Sequence, residues 1–305
     1  ESLDGTIKKH EHTKPDKVED RTRHIEACQA NTGTILLTYR DDARVEAIMA
    51  NKMLEKPIYD FTSDDGVGHT VWKLAGEEME AMVEAFKDID NLYVADGHHR
   101  TAAAENYAVK MRKEVGDYTG QEEFNYYLAM IAPKNSLYVM DYNRVVEDLN
   151  GHDFETFRNL VGEKFQIDQV DKAYKPKEKY EYGMYIDGVW YRLNVKDEVI
   201  DTINKTSKNL AIDLLDVSLL HDLLIEPILG IDVPQRDKRI DFIGGIRGLG
   251  EIEKRVEEGM RLSFALYPTS IEELMAVADM DGVMPAKSTW FEPKVRCGLF
   301  LHMMD

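Results

Sequence analysis

The run Ala95-Asp96-Gly97-His98-His99-Arg100-Thr101 places a carboxylate, a glycine, two imidazoles, a guanidinium and a hydroxyl on consecutive residues. Folding alone seldom demands such a concentration of chemistry. Gly97 lets the backbone come close to a ligand, and a helix beginning there would point free N–H groups and the positive end of its dipole at an anion. Arg100 adds a planar fork that grips phosphate or carboxylate at two points. Asp96 is suited to hold Mg²⁺ beside a bound phosphate. In the plainer alternative, Asp96 merely caps a helix and the histidines face water.

Two more stretches carry chemistry. His10-Glu11-His12-Thr13 precedes Lys14-Pro15 and therefore reads as a turn or strand end, with Glu11 as the natural general base for a hydroxyl. Near the other end, Lys287, Ser288, Thr289, Lys294 and Arg296 gather cations and hydroxyls between and just beyond Pro285 and Pro293. Such a loop could clamp an anion. Trp290 and Phe291 read more simply as packing the loop onto a core than as a base-stacking platform. The paired histidines leave a transition-metal site open, although neither pair has the i, i+4 spacing of a helical zinc motif.

Elements can be read around these blocks. Leu92 to Ala95 reads as a buried strand, and Thr101 to Val115 as a helix with Ala103, Tyr107, Met111 and Val115 on one face. Thr34 to Tyr39, Tyr126 to Ala132 and Arg261 to Tyr267 read as strands. Glu77 to Lys87 reads as a helix with Met79, Met82, Val83 and Phe86 inward. Asp187-Gly188 between β-rich runs signals a type I′ hairpin, and Ser270 with Glu273 forms a capping box opening a helix over 271–278. Leu210 to Leu224 is apolar enough for a mostly buried helix, and Gly244 to Gly250 reads as a tight loop before a helix starting near Glu251. The alternation predicts an α/β (α+β) fold. The expected division is a core over 1–150 that carries the central anion-binding turn and a second α/β subdomain over 151–305 that contributes the carboxy-terminal anion-binding loop.

The Ala-Asp-Gly-His-His-Arg motif resembles the hallmark of a bacterial and archaeal family known as domain of unknown function 1015. The Lys9-His10-Glu11-His12-Thr13 block, with Asp20-Arg21 after it, and Val283 to Arg296 resemble that family's terminal blocks. The likeness spans the chain with three specific anchors and a looser middle. Two departures stand out: Ala286 replaces a second proline, and Asp141-Tyr142-Asn143-Arg144 lacks a histidine usual before the arginine. Relatives also carry residues ahead of the His-Glu block, so the resemblance implies a native amino-terminal part before Glu1. More distantly, the Gly-x-x-Arg helix entry is similar to the phosphate loop of the ParB/sulfiredoxin-like group, which includes the free-serine kinases.

That similarity implies a ParB/sulfiredoxin-like core and a kinase transferring a phosphoryl group from ATP or ADP to the hydroxyl of a free amino acid, with L-serine the best single guess. Glu11, Asp96 and His98 are then the catalytic candidates, with Asp96 the Mg²⁺ ligand. Gly97, His98, His99, Arg100, Thr101, Lys287, Ser288, Thr289, Lys294 and Arg296 are assigned to the nucleotide. His10, His12, Thr13 and Arg21 are assigned to the substrate. A nucleotide-binding sensor without turnover is the alternative, and Glu11 tells the two apart because a pure binder needs no base.

Composition narrows the classes further. The chain has 305 residues, is 43% hydrophobic and 31% charged, and can bury a substantial core. A net charge of −19 disfavours nucleic acid, whose binding requires a basic face. Cys28 and Cys297 form no CxxC pair and suggest a reducing, cytoplasmic setting. The most apolar stretch, 210–231, is interrupted by Asp213, Asp216, His221, Asp222 and Glu226, so no membrane partner is expected. Homodimer formation stays open.

Overall fold

The computed structural model describes residues 2–304, which form a mixed α/β fold in two compact units. The first comprises residues up to Lys8, Asp16–Leu137 and the tail from Val295. The second comprises Lys9–Pro15 and Tyr138–Lys294.

The first unit is built on a four-stranded sheet ordered Ile7–Lys8, Leu92–Asp96, Ile35–Tyr39 and Ala129–Pro133. Ile35–Tyr39 is buried along its whole length, as expected of a short apolar strand with neighbours on both edges. It runs antiparallel to Leu92–Asp96 and parallel to Ala129–Pro133. The antiparallel register slips between Leu36, opposite Asp96, and Leu37, opposite Val94. Ala95 is thus the extra residue of a β-bulge, a device that re-aims the chain where a strand ends. Helix Pro15–Cys28 opens on proline, whose missing N–H costs nothing at that position. Its Val18 and Ile25 pack with Ala103, Ala104 and Tyr107 of helix His98–Val115.

The second unit centres on a six-stranded antiparallel sheet ordered 165–170, 189–195, 181–186, 262–266, 142–146 and 240–244. The hairpin turns at Asp187 and Gly188, both at positive φ of 52° and 78°, the backbone a type I′ turn demands. Helix Leu249–Glu257 places Ile252 among Val145, Tyr185, Trp190, Ile243 and Ala265. The capping box at Ser270 and Glu273 is present.

Two elements depart from the sequence reading in rotation or continuity, and the strand read over 126–132 is shorter, at Ala129–Pro133. In helix Glu77–Lys87, Met79 and Val83 lie outward at 50% and 56% exposure; the packed stripe is Met82, Ala85 and Phe86, with Ile89 just beyond the helix, in one cluster with Tyr39, Val45 and Ile48. Both stripes are helical, and only the neighbouring helix and strand fix the rotation. The apolar stretch after Leu210 is not one helix. It breaks at the extended Leu215 into Leu210–Asp213 and Asp216–Leu220, and the second piece runs on into a π-helical turn His221–Ile225.

Candidate functional site

The bulge at Ala95 delivers the chain into Gly97, which adopts φ 102° and ψ 29°. A residue with a side chain is strained there. The helix begins at His98, three residues earlier than its periodicity suggested, so His98, His99 and Arg100 form its first turn. No side chain caps this helix start. Thr101 is buried, and its hydroxyl donates to the Gly97 carbonyl at 3.2 Å.

Arg100 folds back over the turn. A Cβ on Gly97 would lie 2.9 Å from Arg100 Nε, and a Cβ on Gly33 would lie 3.4 Å from both its Cδ and its Nη1. The guanidinium therefore occupies a slot between two glycines, with Nη2 at 3.9 Å from Asp96 Oδ2. With side chains 29% and 38% exposed, this is a loose, wet ion pair that an incoming anion can outcompete. Arg100 also lines a cavity of about 160 Å³ within the first unit, together with Arg21, His24, Asn31, Gly33 and Cys297. Arg21 stands beside an acidic neighbour, Asp20, at 2.9 Å. Gly33, His24 and Asn31 carried no sequence motif; a glycine in the short loop before strand Ile35–Tyr39 signals nothing until the arginine lying against it is known.

In the second unit, the Met284 N–H donates to the His10 carbonyl at 2.8 Å, stitching the His10–Thr13 segment to the start of the carboxy-terminal block. His10 is buried, Glu11 and Thr13 half-buried, and His12 exposed. Ser288 is buried, its hydroxyl donating to the Pro285 carbonyl while its own carbonyl accepts from Thr269. Lys287 is exposed at φ 60°, with Nζ 5.5 Å from the centre of the Tyr142 ring. Lys294 Nζ sits 4.8 Å from the Trp290 ring centre. Thr289 is half-buried. Phe291 is buried, and Trp290 lies so close over Gly244 that a Cβ there would fall 2.4 Å from the indole; both aromatics pack this loop in place. Arg296, which belongs to the first unit, is paired with Asp65.

Among the described residues, one group gathers three possible metal ligands: His221, Asp222 and Glu226, whose ligand atoms lie within 4.8 Å of one another. The π-helical turn brings residue 226 alongside residue 221. The histidines singled out from sequence are not part of it. Cys28 and Cys297 are free thiols, and among the described residues no helix is long and apolar enough to cross a membrane.

A bulged strand, a left-handed glycine and an arginine-bearing helix entry beside a two-arginine cavity define an α/β protein with a cationic pocket at a helix start. The family model described as "Protein of unknown function (DUF1015)" matches residues 1–218, and the chain belongs to that family. No curated protein matches the sequence. Among solved structures, the chain is similar to a free serine kinase mutant in complex with ADP, at 14% identity and a TM-score of 0.40 over 94% of this chain and 84% of that one. SbnI from Staphylococcus aureus, with a C-terminal truncation, is similar at 13% identity and a TM-score of 0.45 over 96% and 81%. A conserved hypothetical protein from Pyrococcus furiosus is similar at 13% identity and a TM-score of 0.40 over 96% and 90%.

Proposed function

We propose that the protein is a small-molecule kinase of the ParB/sulfiredoxin-like group, moving a phosphoryl group from ATP or ADP to the hydroxyl of a free amino acid, L-serine first among them. The observation that carries this reading is the Arg100 slot: a guanidinium held between Gly97 and Gly33, beside a helix entry and on the wall of a cavity that also holds Arg21. Backbone N–H groups of the first turn and a fork with one loose partner suit the phosphates of a nucleotide. Gly97 fits this role because a side chain at that position would displace the fork. Asp96, half-exposed at the strand end, fits a Mg²⁺ ligand, and the ion would neutralise phosphate charge when bound.

The remaining roles fall to named groups. In the first unit, the sequence resemblance assigns His98 to the phosphate turn and Arg21 to the amino acid. In the second unit, it assigns Glu11 as the base, His10, His12 and Thr13 to the amino acid, and Lys287, Thr289 and Lys294 to negative charge. Positioning and charge neutralisation supply most of the acceleration in phosphoryl transfer, so a single carboxylate base suffices.

Incubation with ATP or ADP, Mg²⁺ and a pool of free amino acids, followed by mass spectrometry, tests the reading. Phosphoserine or another phosphorylated amino acid is expected. Nucleotide binding by calorimetry without any product would leave the sensor reading in place of the kinase. Absence of both overturns the nucleotide site.

A further inference from the structure

The sheet of the second unit contains a charged residue that the proposed reaction does not use. Arg144, in strand Tyr142–Val146, is 4% exposed. Its guanidinium donates through Nη1 to the Tyr142 carbonyl and through Nη2 to the Lys287 carbonyl at 3.0 Å, and its Cζ lies 4.7 Å from the centre of the Phe242 ring. Two carbonyls and a ring face supply partial charge only. Among the described residues, no carboxylate is bonded to it. A buried cation without a counter-ion is costly, and burial pulls this guanidinium down to about 9. A guanidinium has more N–H donors than these two bonds use.

Arg144 lines a cavity of about 150 Å³ that lies wholly within the second unit. Its walls are apolar where Val217, Ile225, Phe242 and Pro285 meet it. Polar groups on the wall are few: the Gln235 amide, the His221 imidazole and the exposed carboxylate of Asp232. The π-helical turn His221–Ile225 presents both its end residues to this space. A cavity of about 150 Å³ holds a molecule the size of benzene. A cavity of that size, with apolar side chains on much of its wall and one buried fork that lacks a carboxylate partner, suits an aliphatic body bearing one carboxylate.

We infer that this cavity is a binding site for a compact aliphatic monocarboxylate, with Arg144 as the group that reads the carboxylate. Because Arg144 also holds the Lys287 carbonyl, an occupant would brace the turn at which Lys287 takes its positive φ. The inference does not rest on the kinase reading, because isobutyrate and ADP are titrated separately and the substitutions that test them, Arg144→Met and Arg100→Ala, remove different side chains.

The test titrates the full chain with isobutyrate and, in parallel, with neutral isobutyramide and inorganic phosphate, followed by ligand-observed NMR and calorimetry. Isobutyrate should bind at millimolar concentration, with the amide weaker by about tenfold or more for want of a charge-assisted bond. Arg144→Met should abolish the difference between acid and amide. Since that variant removes two buried hydrogen bonds and could unfold, Val233→Trp supplies a second arm. Val233 is 40% exposed and lines the cavity, so the indole should fill the space, leave the melting temperature unchanged and eliminate isobutyrate binding. Equal binding of acid and amide, binding of phosphate but not isobutyrate, undiminished binding in Val233→Trp, or no isobutyrate binding by the wild type would each overturn the inference.

Discussion

Replacing Arg100 by alanine isolates the phosphate-binding part of the proposed site from the fold. The side chain contributes little to stability, because its ion pair with Asp96 is long, at 3.9 Å, and partly exposed. Loss of such a pair costs about 0–1 kcal/mol, so the urea midpoint should barely move. Against a nucleotide, the same fork would make charge-assisted bonds, whose removal costs about 1–3 kcal/mol, or roughly a 5- to 150-fold rise in Kd. The two glycines around Arg100 sharpen the expectation, because they leave the guanidinium one slot and so reduce the entropy it loses on binding. Calorimetry with ADP and Mg²⁺ on wild type, Arg100→Ala and Arg100→Lys provides the measurement. Lysine keeps the charge without the planar fork and should fall between the other two. An unchanged ADP affinity in a folded Arg100→Ala protein would refute the phosphate-cradle argument.

Other consequences are equally open to measurement. Glu11→Gln should keep nucleotide affinity and lower turnover by roughly 10²-fold or more, since the amide preserves shape but accepts no proton; wild-type rates in steady-state assays would remove Glu11 from the chemistry. Gly183→Ala should lower the urea midpoint by an amount at or above the roughly 1–3 kcal/mol of core overpacking, because its Cβ would fall 2.2 Å from the Tyr174 backbone carbonyl and 2.9 Å from the Trp190 ring. Burial pushes Asp216 up from 3.8 to about 7, despite its 2.6 Å hydrogen bond from the Tyr180 N–H and the nearby Lys179. In that window the folded state binds the proton more tightly than the unfolded one, so this group's contribution falls as pH rises from about 4 to about 7, with a limiting slope on the order of 1.4 kcal/mol per pH unit. Asp216→Asn keeps the Oδ1 acceptor and should be more stable than wild type at pH 8; urea titrations showing parallel pH profiles for the two proteins would contradict the assignment.

Local backbone rules made several features legible without any partner. Asp187-Gly188 needs only two residues able to take positive φ, and Ser270 with Glu273 needs only its own first turn. Gly97 after an apolar run and before a small-residue helix marks the strand-to-helix turn by the same logic. Each depends on residues within a few positions, so short-range sterics and hydrogen bonding settle it.

What distant contacts decide was invisible. The helix over 77–87 has two apolar stripes, and the choice between them rests on where Tyr39 and Val45 lie. Gly33 matters because the Arg100 side chain, far along the sequence, lies where its Cβ would press. Arg144 stood out in sequence only as the arginine of a block that departs from the family pattern; Phe242 on the neighbouring strand and the Lys287 carbonyl make it a buried cation on a cavity wall. The sequence by itself determined the Asp187-Gly188 turn and the Ser270 cap, and it named candidates for chemistry. Burial, helix rotation and the surroundings of each charge are properties of the packed chain, because they depend on residues that meet only after folding.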